Sequence, residues 1–154
     1  MRKVTFCPLA PAERSTSESS PQLPLVMVID DSPTVRSILE VCLSRAGYQV
    51  KSFHDGVEAL LWLGSPQARL PELVFLDIGL PKMDGFEVAL HLKGRPQLQD
   101  TVIVMLTRRD GVIERLKAKL VGAKDYMVKP FKPQQIVAVV QAYLGMPASS
   151  ERYH

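Results

Sequence analysis

Short unbroken apolar runs alternate along the chain with stretches in which apolar residues return every three or four positions. The runs are Leu25 to Ile29, Leu73 to Leu76, Val102 to Leu106 and Tyr126 to Val128. Runs of this length without polar alternation suit strands covered on both faces, the condition of a parallel sheet. A further strand is expected over Tyr48 to Phe53, where Gln49, Lys51 and Ser52 indicate partial exposure. The intervening stretches predict helices. The first follows Asp31-Ser32 with Pro33 in its first turn, carries Val35, Ile38, Leu39 and Cys42 at helical spacing, and stops at Gly47. A second, Gly56 to Leu63, carries Val57, Leu60 and Leu61 and is closed by Gly64-Ser65-Pro66. After the loop Leu80 to Gly85 comes a third with Phe86, Val88, Ala89, Leu90 and Leu92, and two more are expected near Val112 to Val121 and over Pro133 to Leu144.

Strand and helix therefore alternate five times. Right-handed crossovers leave few topologies for such a series, and a chain that starts in the middle of the sheet gives the flavodoxin-like, doubly wound α/β fold. Its five parallel strands run in the order 2-1-3-4-5, with helices on both faces. Ligands of such sheets bind outside the carboxyl ends of the strands, at the switch point beside strands one and three. At those ends stand Asp30-Asp31, Asp77, Thr107 and Lys129-Pro130.

Composition bounds the rest. A chain of 154 residues, 46% hydrophobic and 23% charged, suits one globular domain, and no apolar run approaches the roughly 20 residues that span a bilayer. Residues 1–24 hold Pro8, Pro11, Pro21 and Pro24 among serines, which predicts a disordered arm, the alternative being a segment that docks back through Val4 and Phe6. The domain then covers 25–145, and 146–154 is a short polar tail after Gly145-Met146-Pro147. Arg2 and Lys3 are followed by no apolar leader region, so no membrane association is expected and the default compartment is the cytoplasm. Cys7 in the arm and Cys42 on a buried helix face are expected to be free thiols. The net charge of +3 is mild, although Arg108, Arg109, Arg115, Lys117, Lys119, Lys124, Lys129 and Lys132 crowd one stretch. That stretch reads as a solvated face or a surface for an acidic partner; no nucleic-acid motif accompanies it.

Three carboxylates brought to one rim repel by roughly 4 kcal/mol per pair at an effective dielectric near 20, so Asp30, Asp31 and Asp77 must hold protons or recruit a cation. Oxygen-only donors select Mg²⁺, or Mn²⁺ in its place, and Mg²⁺ commonly shares its shell with phosphate. An ammonium from Lys129 and a hydroxyl from Thr107 would meet phosphoryl oxygens, with Lys129 pairing Asp77 at rest. A carboxylate so flanked can act as nucleophile in phosphoryl transfer.

The segments Val28-Ile29-Asp30-Asp31-Ser32, Phe75 to Gly85, Met105-Leu106-Thr107 and Lys129-Pro130-Phe131 resemble the receiver domain of two-component response regulators, from about Leu25 to Leu144. The resemblance implies that Asp77 is the phosphoacceptor and that Asp30, Asp31, Asp77 and the carbonyl of Gly79 hold Mg²⁺. It implies that Thr107 and Lys129 bind the phosphoryl group, that the bond before Pro130 is cis, and that Thr107 and Tyr126 form a switch pair. The implied partners are a sensor histidine kinase or phosphotransfer protein as donor and a downstream protein target on the face of helix 4, strand 5 and helix 5. Weak homodimerisation is left open, and no catalysis is expected beyond the chain's own aspartyl phosphorylation and dephosphorylation. The stretches Thr107 to Val112 and Gly122 to Tyr126 resemble single-domain receivers of pilus-dependent twitching and phototaxis pathways.

Arg108 departs from that pattern, because many receivers carry a small residue after the threonine. Its guanidinium could shade Asp77, slow small donors or contact a phosphoryl oxygen, and it keeps a constitutive pseudo-receiver scaffold as the alternative. A phosphatase of external substrates would want an acid where Gly79 stands, and a flavin would be repelled by Asp30-Asp31.

Overall fold

Strands β1 (Leu25–Ile29), β2 (Gln49–Phe53), β3 (Leu73–Asp77), β4 (Val102–Thr107) and β5 (Asp125–Val128) pair in parallel in the order β2-β1-β3-β4-β5. The computed structural model describes residues 22–147. The expectations for residues 1–21, Cys7 included, and for 148–154 lie outside the described residues. The expected strand order is thus the observed one. Asp77 and Thr107 are the last residues of their strands.

Helices α1 (Pro33–Arg45), α2 (Gly56–Leu63), α3 (Gly85–Lys93), α4 (Val112–Leu120) and α5 (Pro133–Leu144) complete the series, with a 3-10 turn at Pro96–Leu98 before β4. Side chains alternate across a strand, so each central strand feeds two cores. Met27, Ile29, Val74, Leu76, Ile103 and Met105 face one side with Ala59, Leu63, Val88, Ala89 and Leu92. Val26, Val28, Leu73, Phe75, Val104 and Leu106 face the other with Leu39, Leu43, Ile136 and Val140. This double burial explains the unbroken apolar runs. Fully burying one Leu or Val side chain is worth about 1.5–3 kcal/mol, so the central strands dominate the stability of the scaffold.

Helix faces differ from the periodicity in detail. Ile38, Val57, Leu61 and Leu90 are exposed, whereas Leu43, Ala59 and Leu63 are buried. The helices are apolar over more of their circumference than the sheet covers, so period alone does not choose among adjacent apolar positions. Cys42 is half-buried rather than buried.

The loops at the carboxyl edge are fixed by caps. Ser32 Oγ accepts from the Val35 N–H at 3.3 Å to start α1, and Asp84 starts α3 with a reciprocal capping box to Glu87. Tyr48 is buried and its hydroxyl donates to the Gly145 carbonyl at 2.8 Å, tying the start of β2 to the end of α5.

Candidate functional site

Asp30, Asp31 and Asp77 converge at the carboxyl ends of β1 and β3, each offering a carboxylate oxygen within 4.8 Å of the others. Topology causes this meeting, because β1 and β3 are neighbours and Ile29 pairs with Leu76. Asp30 is fully buried, Asp77 is buried and Asp31 is exposed. The Asp30 carboxylate accepts from the Ser32 N–H at 2.9 Å, while its carbonyl accepts from Arg36 Nη1 at 2.7 Å. Arg36 on α1 thus holds the Asp30 peptide from the helix side, a role that its place on an unremarked helix turn did not signal.

Lys129 reaches across from the end of β5. Its Nζ lies 2.8 Å from Asp30 Oδ2 and 3.6 Å from Asp77 Oδ1. The expected pairing with Asp77 is present, and Asp30 is a second and closer partner, because a fully buried carboxylate gains more from a nearby cation than one that opens onto a cleft. The peptide between Lys129 and Pro130 is cis, as expected, and the Lys129 N–H donates to the Thr107 carbonyl at 2.6 Å.

Asp77 Oδ1 also accepts from the Gly79 N–H at 3.3 Å, and Oδ2 takes no hydrogen bond among the described residues. Burial, then repulsion from Asp30, pushes the Asp77 carboxyl above its ordinary value against the opposing pull of Lys129. Asp77 lines a cavity of about 410 Å³ with Asp31, Gly79, Thr107, Arg108 and Lys117. Three carboxylates against one ammonium leave an excess of negative charge, and every donor is oxygen, so the residues present fit a hard divalent cation.

Thr107 is buried, and its hydroxyl accepts from the Arg109 N–H at 3.0 Å. The Arg109 carbonyl in turn accepts from the Tyr126 hydroxyl. Tyr126 therefore lies across the loop between β4 and α4, with the Arg115 guanidinium 4.9 Å from its ring centroid. Arg108 is exposed at the rim of the cavity and makes no hydrogen bond or ion pair among the described residues.

Gly85 closes the site from below. A Cβ there would meet the Asp77 carbonyl oxygen at 2.4 Å and Ile78 Cα at 2.7 Å, so glycine is what lets α3 start directly against the end of β3.

The sequence profile described as the response regulator receiver domain matches residues 26–141. The chain belongs to this family. Among its relatives, Protein PilG of Pseudomonas aeruginosa is 32% identical over 119 residues, which are 77% of this chain and 86% of PilG. Response regulator MprA of Mycobacterium tuberculosis is 40% identical over 119 residues, and there the match spans only 50% of the relative. The structure of the chemotaxis protein CheY4 of Vibrio cholerae superposes with a TM-score of 0.74 at 33% identity, over 79% of this chain and 99% of CheY4. Receiver domains are phosphorylation-switched signalling modules of two-component systems; they generally bind Mg²⁺ at an acidic pocket and contact histidine kinases and downstream targets. Among the described residues of this receiver, no helix is long and apolar enough to cross a membrane.

Proposed function

We propose that this receiver takes a phosphoryl group onto Asp77 from a sensor histidine kinase or a phosphotransfer protein and signals by protein contact. The observation that carries the reading is the state of Asp77: a buried carboxylate with one oxygen unbonded among the described residues, opening onto a cavity that also presents Thr107. In the transfer, an Asp77 oxygen attacks phosphorus as the bond from phosphorus to the donor's imidazole nitrogen breaks, leaving an aspartyl phosphate and a free histidine. Lys129 is near enough to follow the new charge, since its ammonium already lies between Asp30 and Asp77. Asp30, Asp31, Asp77 and the Gly79 carbonyl would hold Mg²⁺, which when bound neutralises charge on the carboxylates and on the incoming phosphoryl oxygens.

The Thr107 hydroxyl would turn from the Arg109 N–H toward a phosphoryl oxygen. That movement frees the Arg109 peptide, whose carbonyl anchors Tyr126, and so links the pocket to the outer face. The face of α4, β5 and α5 exposes Val112, Ile113, Leu116 and Leu120 beside Arg115 and Lys119, a surface suited to an apolar partner segment with acidic flanks. We assign the output to a cytoplasmic pathway of the pilus-dependent twitching or phototaxis kind, with no turnover of an external substrate.

The test is phosphorylation of the full chain by acetyl phosphate with Mg²⁺, read by intact mass and by amide chemical shifts after beryllofluoride. Loss of both responses in Asp77→Asn supports the reading. A native chain that shows neither response is instead a constitutive scaffold.

A further inference from the structure

A second concave surface lies away from the acidic site. It is an open groove of about 750 Å³ between α1 and α5, floored by Ile38, Val41, Cys42, Val137 and Ala138, with Arg45 at one end. Ile38 is 42% exposed and Val41 50%, on a helix that otherwise packs its apolar residues inward.

We propose that the occupant is the chain's own N-terminal arm, laid along the groove so that Val4, Phe6 and Leu9 cover Ile38, Val41 and Val137 and Cys7 comes beside Cys42. The place from which the arm departs supports this. The Pro24 carbonyl accepts from the Gln49 N–H at 2.9 Å, so the arm leaves the domain beside the start of β2, close in sequence to the end of α1 where Arg45 lines the groove. Cys7 and Leu23 are sixteen positions apart, a reach of about 50 Å when extended, far more than the groove requires. The groove residues Ile38 to Arg45 span about 11 Å of helix, and Val4 to Leu9 spans about 17 Å of extended chain. That short segment holds Val4, Phe6 and Leu9, and the polar run Glu13 to Ser20 is left as a tether.

Direction follows from the exit point. The arm climbs antiparallel to α1, so the residues before Cys7 approach the N-terminal end of that helix. With Cys7 opposite Cys42, Arg2 and exposed Asp31 both lie about 17 Å further along, five extended residues in one case and eleven residues at helical rise in the other. A seated arm therefore carries Arg2 and Lys3 to the rim of the acidic site.

The chain's two cysteines report on this arrangement without any added label. Diamide takes two electrons and the two thiol protons as the sulfur–sulfur bond forms, becoming the hydrazine. The experiment is diamide oxidation of the full-length chain at low protein concentration, with the linked peptides mapped by mass spectrometry. A seated arm gives an intramolecular link between Cys7 and Cys42, formed about tenfold faster than in Phe6→Asp or Val41→Asp, in which only the tether brings the thiols together. Val41 is half exposed, so its aspartate variant keeps the core, which the melting temperature checks. Equal rates in all three chains, no link in any of them, or a covalent dimer joining two copies would each overturn the proposal.

Discussion

Lys129 holds Asp30 at 2.8 Å, and the pair is nearly dry, with the carboxylate side chain 0% and the lysine 11% exposed. Removing the cation leaves a buried charge without compensation, which costs roughly 3–5 kcal/mol in such pairs. Lys129→Met should therefore lower the urea unfolding free energy by about that amount in the presence of a chelator. Added Mg²⁺ should return part of the loss, because a cation bound only by the folded state stabilises it by mass action. A variant as stable as the native chain without Mg²⁺ would contradict the pairing.

Asp77 gives the opposite sign. Its carboxyl is held above the ordinary value of 3.8, first by burial and then by Asp30, so the folded state binds this proton more tightly than the unfolded chain does. Its contribution favours folding below the unfolded pKa and is lost as pH rises through the folded one. Asp77→Asn should therefore be more stable than the native chain at neutral pH without Mg²⁺, by on the order of 1 kcal/mol. That advantage should shrink as the pH falls toward the ordinary aspartate range. Urea midpoints measured across pH in a chelator check both parts.

Arg108 is exposed at the mouth of the cavity and has no hydrogen-bond or ion-pair partner among the described residues, a position from which a guanidinium attracts anions more than it obstructs them. Arg108→Ala should slow phosphorylation by acetyl phosphate by about threefold at low ionic strength, with the difference fading as salt screens the field. A faster reaction in the variant would mean that the side chain shades Asp77.

Tyr126 is anchored by its hydroxyl to the Arg109 carbonyl, two residues beyond Thr107. Tyr126→Phe should cost about 0.5–1.5 kcal/mol of stability. It should also reduce the beryllofluoride-induced amide shifts on α4 while leaving those beside Asp77 in place. Undiminished α4 shifts would remove Tyr126 from the linkage.

Much of this was legible in the sequence because strand ends are unambiguous. Asp30, Asp31, Asp77, Thr107 and Lys129 each close an apolar run, and the topology of a parallel sheet then brings those ends together. Less legible were contacts that depend on rotamer and helix phase. Nothing in the order of residues distinguishes Asp30 from Asp77 as the nearer partner of Lys129, since that depends on which carboxylate is more deeply buried. Arg36 was missed because its bond is to a backbone carbonyl, which leaves no pairing signal in the sequence. Ile38, Val57 and Leu61 fall on the helical period, yet they are exposed because the sheet covers only part of each helix.

Two glycines near Asp77 have opposite tolerance, although neither adopts a positive φ. At Gly79 an added Cβ meets nothing within 4 Å, whereas at Gly85 it meets the Asp77 carbonyl oxygen at 2.4 Å and the Ile78 Cα at 2.7 Å. Both of those neighbours are backbone atoms, so no side chain can rotate away. The start of α3 must lift from the end of β3, loosening the bond from the Gly85 N–H to the Ile78 carbonyl, now 2.9 Å long, and shifting Asp77 itself. Gly85→Ala should thus cost about 2–3 kcal/mol, comparable to overpacking of a tight core, and lower the phosphorylation rate through misplacement of the nucleophile. Gly79→Ala should change stability by less than about 0.5 kcal/mol, as an exposed substitution without a steric partner. Chemical denaturation of both variants, alongside their rates with acetyl phosphate, separates the two positions. Equal behaviour would mean that α3 can move away from β3 at little cost and that Asp77 does not depend on that contact for its position.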